Sequence, residues 1–243
     1  MIGYGLKNKN LVPYIIVAPN FRRTSAGIVL LYKLAELLGT LATVNTAPPA
    51  DGRFIAVYPR IYAGNQWNAP LVVRYIMSNL DLYPDPVPDI PELVFTYSDS
   101  FRPDLKPLGK LFLPTVELEL FENANPQPRS GFCYFHGKGG TSSIPPTGAK
   151  MIDNDWPPTR AELAQVLKTS EALYCDDPLT SLALEAVLCG CEVVCPGIKW
   201  ISELGKNPTA DGLRDKIMFH RREVLPAQIE NFINITQEAY GRL

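Results

Sequence analysis

The sequence predicts an α/β protein whose parallel sheets are covered by helices. Short apolar runs alternate with segments of helical period, and this alternation stops at a polar, proline-bearing stretch and then begins again. A hydrophobic content of 46% with 20% charged residues is that of a chain able to bury a core.

The elements follow in order. "YIIVAP" (14–19) reads as a buried strand. In "TSAGIVLLYKLAELLG" (24–39), Thr24 or Ser25 is placed to cap a helix and Gly39 to stop it. "LATVN" (41–45) and "RFIAVYP" (53–59) read as strands, and "APLVVRYIMSNL" (69–80) as a second helix. Four prolines make "YPDPVPDIPE" (83–92) a loop. "LVFTYS" (93–98) and "KLFLP" (110–114) read as strands, and "FENANPQPRSG" (121–131) as an interdomain linker.

The second half repeats the pattern. "FCYFHG" (132–137) and "AKMID" (149–153) read as strands. "TRAELAQVLKTS" (159–170) is a helix whose Thr159 and Glu162 form a capping box. "EALYCDD" (171–177) and "CEVVCPG" (191–197) are strands around an apolar helix, and "LPAQIENFINITQEAYGRL" (225–243) is an amphipathic final helix. The domains expected are 1–124 and 125–243.

A net charge of −2 argues against a broad nucleic-acid surface. "LVPYIIVAP" lacks a basic leader with a cleavage site behind it, and no apolar run reaches the ~18 residues of a membrane span. The expectation is a cytoplasmic protein without a transmembrane segment, peripheral membrane association staying compatible. Its cysteines are then reduced. "CGCEVVC" (189–195) has C-x-C-x3-C spacing along a helix end and a buried strand, which suits packing better than the C-x2-C pairs of zinc sites. His136 and His220 are too far apart in sequence to argue a metal centre; no metal is expected.

In "CDDPLTSLALEAVLCGCEVV" (175–194), Asp177 precedes Pro178 as an N-cap precedes a first helical position, so a helix is expected from there to Gly190. Its N-terminus would offer free N–H groups to an anion or sugar hydroxyl, with Thr180 close by. Glu185 stands mid-helix among apolar neighbours, and a buried carboxylate needs a partner. Solvent or a loop backbone is the ordinary answer. "FCYFHGKGG" (132–140) delivers Gly137, Lys138 and Gly139 after a strand, where glycines admit an anion and Lys adds charge. It is not a Walker A loop, since Gly139 stands where Ser or Thr is needed.

This pattern resembles the Glu-x7-Glu motif of GT-B glycosyltransferases: an acid before Pro, then Leu-Glu-Ala, then Gly and an apolar strand. The resemblance implies two Rossmann-like domains with parallel sheets facing a central cleft, the final helix crossing back to the first. It implies that Glu185 holds the ribose of a nucleoside-diphosphate sugar, that Asp177, one methylene shorter than the family's acid, lies by the donor sugar, and that Lys138 meets the diphosphate. In "APNFRRTSAG" (18–27), Arg22 or Arg23 would meet phosphate or acceptor. "VYPRIYAGN" (57–65), with Arg60 and Asn65, resembles a stretch of bacterial glycosyltransferases of surface polysaccharide assembly. An inverting enzyme needs a base, and with no His in the first half, Asp99 is the candidate. The implied function is sugar transfer to a glycan or lipid-linked acceptor with no cofactor beyond the donor. The chain is short for the family. A non-catalytic nucleotide-sugar-binding protein of the same fold and a sugar-nucleotide epimerase are the alternatives.

Overall fold

A computed structural model describes residues 11–78, 92–99, 101, 104, 106–124, 126, 128–137, 144–177, 179–198 and 202–243. The chain is α/β, with two parallel sheets in two compact units. One unit comprises residues 1–22, 27–114 and 221–243, the other 23–26 and 115–220. No helix among the described residues is long and apolar enough to cross a membrane.

The first unit holds β1 (Tyr14–Ile16), β2 (Ala42–Val44), β3 (Ile55–Pro59), β4 (Leu71–Ile76), β5 (Glu92–Thr96) and β6 (Gly109–Lys110), in the spatial order β2-β1-β3-β4-β5-β6. Each neighbouring pair is parallel. Alternation along the strands sends Tyr14, Ile16, Ile55, Val57, Val73 and Tyr75 to one face. There α1 (Ala26–Leu38) lays down Leu30, Leu31, Leu34 and Leu38, a stripe of helical spacing. The same core receives Leu225, Ile229, Phe232 and Ile233 of α5 (Leu225–Tyr240). Tyr14 fixes that helix: its ring lies 5.7 Å from Phe232 and its hydroxyl 2.6 Å from Thr236 Oγ1.

The opposite face gathers Ile15, Val17, Ala56, Tyr58 and Val72 beneath Tyr62 and Trp67 of the β3–β4 connection. Residues 69–80, expected to be a helix, instead contain β4 as far as Ile76; residues 79 and 80 lie outside the described residues. Arg74 is 1% exposed and paired with Glu92, so both faces of β4 are buried. A strand buried on both faces shows no alternation, and its Val72, Val73 and Ile76 suit a sheet.

The second unit holds β7 (Phe132–Phe135), β8 (Lys150–Ile152), β9 (Ala172–Cys175) and β10 (Glu192–Val194), ordered β10-β9-β7-β8 and parallel throughout. With them go α2 (Arg160–Thr169), α3 (Leu182–Leu188) and α4 (Ala210–Phe219), and α3 packs on α2 and α4. Thr159 caps α2 by accepting from the Glu162 N–H, while its hydroxyl donates to Glu162 Oε2 at 2.7 Å. The stretch read as a linker is packed. Phe121 is buried, and Arg129 donates to the carbonyls of Leu167, Ser170 and Cys189. Gly190 turns the chain out of α3 at φ +72°; a Cβ there would stand 2.6 Å from Asn123 Nδ2, so Gly is required.

Candidate functional site

In the second sheet β7 lies between β8 and β9, so the strand order reverses between β7 and β9. Phe135 is in register with Cys175, which sets His136 and Asp176 side by side at the carboxyl ends, with the Asp176 N–H donating to the Phe135 carbonyl at 3.1 Å. The Asp176 side chain is fully buried. Tyr134 donates its hydroxyl to Asp176 Oδ2, and His136 Nδ1 lies 2.9 Å from the same oxygen. A carboxylate is an acceptor, so that contact places the proton on Nδ1. Tyr134 Oη and His136 Nδ1 are 3.2 Å apart, which closes a triangle. The donated hydrogen bond to Asp176 pushes the Tyr134 hydroxyl up to about 12.

Gly137 follows in the left-handed region at φ +59°. A Cβ on it would stand 2.6 Å from Asp177 Cβ and 2.9 Å from Asp177 Oδ2, so the turn closes on Asp177 as no other residue would allow. Lys138 and Gly139, the expected phosphate contacts, lie outside the described residues. Asp177 does not begin a helix as expected. Its Oδ1 accepts from the Leu179 N–H at 3.1 Å, Thr180 Oγ1 accepts from the Leu182 N–H at 3.2 Å, and α3 starts at Leu182. These local side-chain bonds give the backbone an alternative to the helix. Ser181, at the N-cap, makes no side-chain cap bond. The seven-residue α3 therefore carries Glu185, with Asp177 in the turn before it.

Glu185 is buried, and its partner is Arg160. The guanidinium donates to both carboxylate oxygens, Nη2 to Oε1 at 2.6 Å and Nη1 to Oε2 at 3.1 Å, while Nε reaches Glu117 at 3.2 Å and the group lies 4.5 Å over the Phe121 ring. Burial pushes the Glu185 carboxyl above its ordinary value against the pull of Arg160. Burial also opposes the charge on Arg160, but Glu185 and Glu117 outweigh it and raise its pKa.

In the first sheet the strand order reverses between β1 and β3. Arg22 and Arg23 are exposed after β1, and Arg60 is buried just past β3. Asn65 is committed to its own loop: Oδ1 accepts from the Ala69 N–H at 2.9 Å and Nδ2 donates to the Ala69 carbonyl at 2.9 Å. Asp99, the candidate base, is ion-paired with Lys110.

Among the sequence candidates, then, Gly137, Asp177 and Thr180 fall at one sheet end, while Glu185 is held by Arg160. Sequence reasoning missed Arg160, Tyr134 and Asp176. Tyr134 and His136 do carry a signal: two apart in the stretch 132–137 expected as a strand, they are predicted on one face, although β7 itself ends at Phe135. Cys133, Cys175, Cys189 and Cys191 are buried and Cys195 is half-buried. Burial raises the Cys175 and Cys195 thiols, and both lie near the Asp177 carbonyl, at 3.9 and 3.7 Å. Among the described residues no three His, Cys, Asp or Glu side chains are grouped to hold a metal ion.

No family model matches the sequence, and no curated protein or solved structure matches it either.

Proposed function

We propose that the chain is a glycosyltransferase of two Rossmann-like domains that takes a sugar from a nucleoside-diphosphate donor and passes it to a glycan or lipid-linked acceptor. The observation that carries this reading is the reversal of strand order between β7 and β9, with the Gly137 turn closed on Asp177 at that point. Open parallel sheets take ligands outside the carboxyl ends of their strands where the order reverses. A tight glycine turn there lets backbone approach a diphosphate, and Lys138 follows directly in sequence. Glu185 would reach a ribose by sharing its oxygens with Arg160, since a carboxylate has more acceptor sites than two N–H groups fill.

The test is calorimetric titration with UDP and GDP, paired with turnover of their sugar conjugates. Binding of at least one diphosphate is expected, and Lys138→Met should lower turnover more than affinity, because charge on a leaving diphosphate grows toward the transition state. Absence of binding by either diphosphate refutes the reading. A nucleotide-sugar-binding protein without transfer is the second reading. It is favoured by the Arg160 grip on Glu185. Binding without transfer across a panel of donors and acceptors would select it.

A further inference from the structure

The chemistry at the β7–β9 reversal extends beyond a phosphate cradle. Asp176 is sealed, with its side chain 0% exposed, whereas the His136 side chain it holds is 65% exposed. A buried carboxylate that reaches solvent through an imidazole is a costly arrangement in a sheet of only four strands. It gives the ring a fixed tautomer and orientation. With Nδ1 turned to Asp176, Nε2 is the nitrogen left to face outward, beside the Gly137 turn. The described titratable groups facing the ring are Tyr134 and Asp176, and Asp177 packs against Gly137.

Resting on the nucleotide-sugar reading, we propose that His136 is a catalytic proton donor: its Nε2–H protonates the diphosphate as it leaves the sugar, and Asp176 is its positioning residue. In the step, the bond from the anomeric carbon to the phosphate oxygen breaks and its electron pair stays on that oxygen, which takes the Nε2 proton. The acceptor oxygen bonds to the anomeric carbon and its proton passes to water, from which the imidazole is protonated again. The location on the donor side of the reaction separates this role from that of the base sought at Asp99, which is tied to Lys110.

UDP-glucose and GDP-mannose serve as probes, with rates followed across pH for wild type, His136→Gln and Asp176→Asn and with UDP and GDP affinity measured for each. His136→Gln should lower kcat by about 10²-fold or more while leaving diphosphate affinity within about threefold. His136 is exposed, so this variant is expected to fold. A proton donor makes the rate fall as pH rises. In Asp176→Asn the ring loses the group that fixes its tautomer and orientation, so kcat should fall while diphosphate affinity stays within about threefold; a merely structural loss would lower both. A His136→Gln variant that keeps kcat within threefold overturns the proposal, as does an Asp176→Asn variant whose kcat is unchanged. Absence of diphosphate binding by wild type instead overturns the nucleotide reading, and the proton donor falls with it.

Discussion

Among the described residues each unit has an arginine set against a mostly buried glutamate, and the two pairs are built differently. In the first unit Arg74 of β4 meets Glu92 of β5 with side chains 1% and 7% exposed. Its remaining donors go to the backbone: Nη1 to the Tyr62 carbonyl and Nη2 to the Gly64 carbonyl at 3.1 Å, with Tyr58 under the guanidinium at 5.3 Å. In the second unit Arg160 of α2 meets Glu185 of α3, but Arg160 is 18% exposed and its Nε turns to Glu117, which is 56% exposed. Both use a bidentate fork over an aromatic face, an arrangement lysine cannot copy. The first pair is closed and fastens the helix-free β3–β4 connection to the sheet. The second ends at solvent. Burial alone therefore does not separate a scaffold pair from one near a site; the third partner of the arginine does.

Breaking the closed pair should cost most. Arg74→Ala strands Glu92 and frees two loop carbonyls, so chemical denaturation should read a loss of about 3–5 kcal/mol. A loss below about 1 kcal/mol would mean that Arg74 fastens nothing. Glu185→Ala is expected to cost less, about 2–3 kcal/mol, because Arg160 keeps Glu117 and an edge of solvent. UDP and GDP titration of the same variant sharpens the comparison. Affinity lost at unchanged stability would assign the carboxylate to ligand instead of to Arg160.

The smallest effect is one of pH. Burial raises the Glu185 carboxyl above its ordinary value of 4.5, so between that value and the raised one the native protein binds more protons than the unfolded chain. Its contribution to stability is therefore lost as pH rises through that window. Glu185→Gln should flatten this slope in denaturation midpoints taken from pH 4 upward, and an unchanged slope would assign it to other groups.

Much of this was legible beforehand. β1, β3, β5, β7 and β9 stand where short apolar runs predicted strands, because a strand in a parallel sheet is apolar on both faces. The same property hid β4, which is buried on both faces and shows no alternation to mark it as a strand. That Glu185 needs a partner was readable from its neighbours. That the partner is Arg160, 25 residues earlier, was not, because the pairing depends on which faces of α2 and α3 meet. Asp177 misled for a local reason: the chemistry that caps helices also builds turns, and here the turn won.

A ribosome makes β1 long before it makes Phe232. Yet Phe232 packs on Tyr14, and Ile229 and Ile233 lie in the same core, so the first unit lacks part of its interior until α5 has been made. Most of the second unit, residues 115–220, is continuous and is synthesised before α5. Domains commonly fold in the order of synthesis, and here that order is inverted, so that the half begun first is finished last. Until then the face of β1, β3 and β4 that α5 covers stays open, and nascent-chain proteolysis should find the first unit cleavable after the second has become resistant.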